Sequence, residues 1–102
     1  MNRDDIIARL RAHERDLRAA GVSGVSLVGS VARGDDRADS DIDILVRLNP
    51  DDPRRGFGYF GRIEEITRRL EAIVGRSVDV IAEPVRKARL RRMIEEDRIV
   101  AF

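Results

Sequence analysis

Apolar side chains at Ile6, Ile7, Leu10, Leu17 and Ala20 recur at helical spacing and fall on one stripe, with His13 in line with them. They predict one amphipathic helix over residues 4–20. Asp4 and Asp5 favour its start through the helix dipole, and Gly21 is suited to stop it. The period then changes. Val25-Ser26-Leu27-Val28 reads as a short strand ending in Gly29-Ser30, and residues 31–40 read as a helical turn followed by a polar loop. Ile42, Ile44 and Val46 alternate with Asp41, Asp43 and Leu45, the period-2 pattern of a second strand.

Residues 49–56 carry Asn, Asp, Gly and two prolines, which is the chemistry of a flexible loop. Phe60, Ile63, Ile66, Thr67, Leu70, Ile73 and Val74 then predict a strong helix closed by Gly75. Residues 77–81 form a third strand. Pro84 can open a last helix at its first turn, with Leu90, Met93 and Ile94 as the buried face. Residues 99–102 give a short terminal strand. The order α-β-(turn)-β-α-β-α-β predicts the α/β class, a sheet with helices packed against it, in one domain over 1–102.

Composition narrows the function classes. With 20 basic and 19 acidic side chains the net charge is +1, so no polyanion partner is implied by bulk charge. The absence of cysteine excludes disulfides, thiolate metal sites and thiol nucleophiles. The polar N-terminus is unlike a signal peptide, and no apolar run approaches the roughly 18 residues that a membrane span requires. A cytoplasmic protein is expected.

Three carboxylates call for an explanation. Asp41 and Asp43 are two apart on the second strand and so share a face, opposite the one that Ile42, Ile44 and Val46 turn inward. In the third strand Val78 and Val80 take the apolar face, so Asp79 emerges on the other. If the two strands are neighbours, three anions converge. Like charges ~4 Å apart repel by about 4 kcal/mol at an effective dielectric of about 20. A hard divalent cation such as Mg²⁺, which prefers carboxylate, water and phosphate oxygens, removes that penalty. The plainer alternative is that these aspartates are solvated or cap turns. It is harder to defend for Asp41 and Asp43, framed by an apolar alternation, than for Asp79 alone. Upstream, Gly29 permits close approach of backbone to a ligand, and Ser30 offers a hydroxyl and an N–H.

The stretch Gly29-Ser30-Val31-Ala32-Arg33-Gly34-Asp35-Asp36-Arg37-Ala38-Asp39-Ser40-Asp41-Ile42-Asp43-Ile44-Leu45-Val46 resembles the signature of the DNA polymerase β-like nucleotidyltransferases. Within that superfamily it is most similar to the minimal nucleotidyltransferases, short proteins that often act as antitoxins beside a HEPN-domain toxin. The resemblance is close over residues 25–46 and extends more loosely to Asp79. It implies a small mixed sheet with helices packed against it. It implies further that Gly29 and Ser30 hold the triphosphate of a nucleotide, that Asp41 and Asp43 ligate two Mg²⁺ ions, and that Asp79 completes the site. The implied activity is transfer of AMP from ATP to a protein hydroxyl, a tyrosine of a partner HEPN toxin. A complex with that toxin follows.

Other residues have plainer readings. Arg33 reaches a phosphate or pairs with Asp35 or Asp39 to hold the loop, and Ser40 contacts the nucleotide or orients Asp41. His13 reads as half-buried packing. Arg86, Lys87, Arg89, Arg91 and Arg92 form a basic run flanked by Glu83, Glu95, Glu96 and Asp97. Its default reading is a solvated helix whose charges complement its dipole, and its functional reading is a docking face for an acidic partner or nucleic acid. An antitoxin that only binds and occludes its partner is the main competing function. A small-molecule acceptor such as an aminoglycoside is disfavoured by the lack of room for a substrate domain. A nucleic-acid-binding module is disfavoured by the near-zero charge and the four aromatic residues.

Overall fold

The computed structural model describes residues 1–50 and 58–102, so most of the loop expected at 49–56 lies outside the described residues. Asn2 caps α1 (Arg3–Ala12). Its side chain accepts from the Asp5 N–H at 2.9 Å, while the Asp5 carboxylate accepts from the Asn2 N–H at 3.0 Å, a reciprocal capping box. The single helix expected over residues 4–20 is in fact two. Backbone geometry departs from helical at His13 (φ −105°, ψ 15°), and α2 (Glu14–Ala19) follows. There the His13 ring donates from Nδ1 to the Arg9 carbonyl at 2.9 Å, and the His13 N–H reaches the same oxygen at 3.2 Å. Leu17 is nonetheless buried with Ile6, Ile7 and Leu10, so the apolar stripe continues across the break.

The remaining elements are β1 (Val22–Val28), α3 (Gly29–Arg33), β2 (Ile42–Leu48), α4 (Tyr59–Val74), β3 (Val78–Ala82), α5 (Ala88–Asp97) and β4 (Ile99–Val100). β1 starts earlier than its apolar pattern suggests, through Ser23 and Gly24, with a register irregularity between Val22 and Gly24. The strands form one mixed sheet in the order β3-β2-β1-β4. β1 runs antiparallel to β2 and β4, whereas β2 and β3 are parallel and joined through α4. A parallel pair needs such a crossover, since a tight hairpin can only reverse the chain.

Strand alternation sorts the side chains into two faces. Ile42, Ile44 and Val46, each 0% exposed, lie with Val25 and Leu27 under Ile6 and Leu10 of α1 and Ile66, Leu70 and Val74 of α4. Burying each such side chain contributes about 1.5–3 kcal/mol, so this face holds most of the fold's apolar stabilisation. On the opposite face Val28, Leu45 and Ile94 make a smaller cluster, edged by Ile81, Val85 and Met93, on which α5 rests. Ser26 is buried on this face as well, and its hydroxyl accepts from Arg98 Nε at 3.0 Å.

Three expectations need correction. Phe60 is 85% exposed. It precedes Ile66 by six positions, roughly 240° around the helix, so it leaves the buried stripe. Pro84 does not open the last helix: it follows Glu83 through a cis bond, and α5 begins at Ala88 behind an extended Lys87. Nor do the charges of α5 complement its dipole. Its first turn has no acid and its last turn no base, while Glu95, Glu96 and Asp97 stand at its C-terminal end. Among the described residues no helix is long and apolar enough to cross a membrane.

Candidate active site

The parallel pairing of β2 and β3 sets Asp43 directly beside Asp79. Both project from the face that carries Leu45 and Ile81, because strand side chains two apart share a side. Asp41 lies one residue before β2 and is exposed. Asp43 also pairs across the sheet with Val28, the last residue of β1, so the strand end that leads into Gly29 is its other neighbour.

Gly29 is where the chain turns from strand into α3. Its φ of +73° is a conformation that side chains other than glycine rarely adopt. A Cβ at this position would also collide with Oδ2 of Asp43 and come within 3.3 Å of its Cγ. Gly29 thus satisfies two demands, the turn itself and a carboxylate packed against its backbone. Ser30 follows, half-buried, with its carbonyl accepting from the Asp35 N–H at 3.0 Å.

Electrostatics ties the three acids together. The Asp43 carboxyl is pushed above its ordinary value, first by burial and then by the charges of Asp79 and Asp41, with Arg33 opposing. Arg33 is committed to other partners: Nε bonds Asp35 at 3.1 Å, and Nη1 bonds Asp97 at the end of α5 at 2.7 Å. These acids, Asp35 first, hold its guanidinium still more firmly protonated. Arg33 therefore ties α3 to α5, and the second of its acids is one that local spacing does not reveal. Ser40 is likewise engaged within the loop, its hydroxyl accepting from the Arg37 N–H at 3.0 Å.

Sequence reasoning missed Arg76. It donates to Asp36 at 3.1 Å, to the Arg37 carbonyl at 3.2 Å and to the Ser40 carbonyl at 2.7 Å. One guanidinium between α4 and β3 thus holds the loop that delivers Asp41 and Asp43. Its partners lie 36–40 residues away along the chain, so no local pattern announces them.

The donor chemistry suits a hard divalent cation: carboxylate oxygens, without imidazole or sulfur. Among the described residues no three acidic, His or Cys side chains close into a ready-made cage. Mg²⁺ commonly takes one or two carboxylates and completes its shell with water and substrate phosphate. The crowded Asp43 and Asp79, with Asp41 beside them, fit a cation that arrives with a phosphorylated ligand.

Residues 9–101 match the family model described as a nucleotidyltransferase domain. The chain belongs to the nucleotidyltransferase domain family. Two relatives are similar over nearly their whole length. A candidate protein adenylyltransferase of Methanocaldococcus jannaschii is 34% identical, with 88% of each chain covered. The protein adenylyltransferase MntA of Thermococcus cleftensis is 30% identical, with 89% of this chain and 87% of the relative covered. Among solved structures, a candidate minimal nucleotidyltransferase superposes with a TM-score of 0.74 at 29% identity, covering 97% of this chain and 95% of its own. At 16% identity the fold is shared with a complex of a tri-AMPylated Shewanella oneidensis HEPN toxin and its MNT antitoxin. There the TM-score is 0.61, and 93% of this chain and 70% of the matched chain are covered. The small mixed sheet expected of a nucleotidyltransferase is the sheet observed.

Proposed function

We propose that this nucleotidyltransferase moves AMP from ATP onto a hydroxyl of a partner protein, a tyrosine of a HEPN-type toxin, and so acts as its antitoxin. The observation that carries the reading is the pairing of Asp43 with Asp79 beside the tight Gly29 turn. The relatives named for protein adenylylation, and the solved complex of an AMPylated toxin, support the acceptor class.

In this reading Asp41, Asp43 and Asp79 would hold the Mg²⁺ ions, two in number. When bound, such ions neutralise phosphate charge and lower the pKa of an attacking hydroxyl. The chain's own residues do the rest. The Gly29-Ser30 turn offers backbone close to the triphosphate, as its lack of a side chain at Gly29 allows. Arg76 keeps the loop that ends at Asp41 in place, and Arg33 fixes the turn to α5. Asp79, the exposed member of its pair with Asp43, takes the proton of the acceptor hydroxyl. The acceptor oxygen forms a bond to the α-phosphorus as the bond to pyrophosphate breaks.

The test is to titrate the protein against the product of a neighbouring toxin gene with MgATP, following toxicity and intact mass. Substoichiometric loss of toxicity, with a gain of one or more AMP units that chelation of Mg²⁺ prevents, is the expected outcome. Neutralisation only at one-to-one stoichiometry, unchanged in an Asp41→Asn/Asp43→Asn variant and without any mass gain, would mean occlusion instead.

A further inference from the structure

We propose that the basic first half of α5, with the residues just before it, is a docking surface for an acidic segment of the acceptor protein. This rests on the protein-acceptor reading above. Elsewhere Arg18, Arg33, Arg47, Arg68, Arg69 and Arg76 each hold a carboxylate within 3.1 Å, Arg3, Arg9 and Arg11 donate to backbone carbonyls, and the exposed Arg15 and Arg37 stand far apart along the chain. Arg86, Lys87, Arg89, Arg91 and Arg92 are all exposed, and among the described residues none holds an acid. Five uncompensated positive charges therefore occupy a stretch of seven residues.

Their position works against the helix that carries them. A helix N-terminus is the positive end of the dipole and favours acids, while the C-terminal end favours bases. α5 has the reverse arrangement, with Glu95, Glu96 and Asp97 at its C-terminal end, and Lys87 gives no side-chain cap. A surface shaped only for stability would carry these charges the other way round. Charges that cost the isolated helix are accounted for by something that binds them.

The surroundings indicate what that is. Arg91 walls a depression whose floor is Leu45, Pro84, Val85 and Ile94; Glu95 and Glu83, the latter held by Arg47 and Arg98, complete its charged rim. Such a pattern suits a polypeptide. Nucleic acid fits less well. α5 has no aromatic side chain on which a base could stack. The surface also lies on the productive side of the sheet. Leu45 is two residues from Asp43 on β2 and is covered by Ile94, and the far end of α5 is tied by Asp97 to Arg33. From Arg89 to Asp97 is roughly 12 Å at the helical rise. An extended chain covers that with about four residues, so an acidic segment docked here keeps a nearby hydroxyl within reach of the carboxylates.

The experiment measures fluorescence anisotropy of a labelled peptide rich in Glu and Asp around one tyrosine. A Gln/Asn counterpart and a single-stranded RNA of equal length serve as comparisons, all without ATP. The native protein is expected to bind the acidic peptide and not the neutral one. Arg89→Gln/Arg91→Gln/Arg92→Gln should weaken that binding by about tenfold or more, while Arg15→Gln, an exposed cation on α2, leaves it unchanged. The triple variant should melt at or above the native temperature, because the removed charges oppose the dipole. No binding by the native protein, equal binding by the triple variant, or tighter binding of RNA through the same residues would each overturn the proposal. A parallel melt with MgATP keeps the two readings apart. Failure to bind peptide with nucleotide stabilisation intact removes only the docking surface, and absent stabilisation counts against the active site whatever the peptide does.

Discussion

Beneath α1 and α4 the sheet buries Ile42, Ile44, Val46, Val25 and Leu27 in a layer without a carboxylate, while the face under α5 carries Val28, Leu45, Ile81 and Ser26 against Ile94 of the helix, beside Asp43 and Asp79. The first face gathers apolar burial and supplies stability. The second holds like charges near one another, and burial together with Asp79 and Asp41 disfavours the charged form of Asp43. A sheet this small can keep a strained cluster on one side because the other side alone stabilises it. Stability and chemistry are thus separated by strand parity.

The largest expected effect tests that division directly. Leu70→Ala, in the main layer, should cost about 2–5 kcal/mol in urea unfolding, whereas Ile94→Ala, at the edge of the small cluster, should fall at or below the bottom of that range. Equal costs would mean that the α5 face is a core in its own right. Next comes Gly29→Ala. Forcing a side chain to a φ of +73° costs about 1–2 kcal/mol, and the new methyl must also displace the Asp43 carboxylate. Transfer activity should fall by more than stability does. Normal turnover in that variant would separate the turn from the chemistry.

The smallest effect on stability, and the most diagnostic, is that of Asp43→Asn. Burial first, and then Asp79 and Asp41, raise the Asp43 carboxyl above 3.8 in the folded chain. A group whose folded pKa is raised contributes stability that is fully present below its unfolded pKa and lost as pH rises through its folded value. At neutral pH the ionised Asp43 is therefore a net cost to the metal-free fold. Asp43→Asn should melt slightly higher than the native protein at neutral pH, the gap should close as pH falls below the ordinary carboxylate range, and nucleotide transfer should be lost. A lower melting temperature at neutral pH would show that the carboxylate is satisfied rather than strained.

Much of this was legible in the residues. The alternation of Ile42, Ile44 and Val46 gave a strand with the correct face inward, and Ile66, Leu70 and Val74 gave α4 with its stop at Gly75. The convergence of Asp43 with Asp79 was conditional on β2 and β3 being neighbours, which periodicity cannot decide and the sheet order does. What stayed hidden has physical causes. The break at His13 leaves the apolar stripe in phase, so hydrophobicity does not register it. The Arg76 clamp and the Arg33–Asp97 bridge join residues 36–64 positions apart. The charge inversion of α5, by contrast, lies open in the order Arg86–Arg92 and then Glu95–Asp97, and the dipole-complementing reading misjudged it.

The parallel register of β2 and β3 carries one more consequence. The meeting of Asp43 and Asp79 depends on counting: Ile42 aligns with Val78, Asp43 with Asp79, and Ile44 with Val80. Slipping a strand by a single residue turns every one of its side chains to the other face. Loss of one residue between Gly75 and Val78 would thus present the chain with a choice between sending Asp79 into the apolar layer under α4 and leaving the strand unpaired. The enzyme's reading frame is protected by the length of a three-residue connection as firmly as by the identity of any acid in its site.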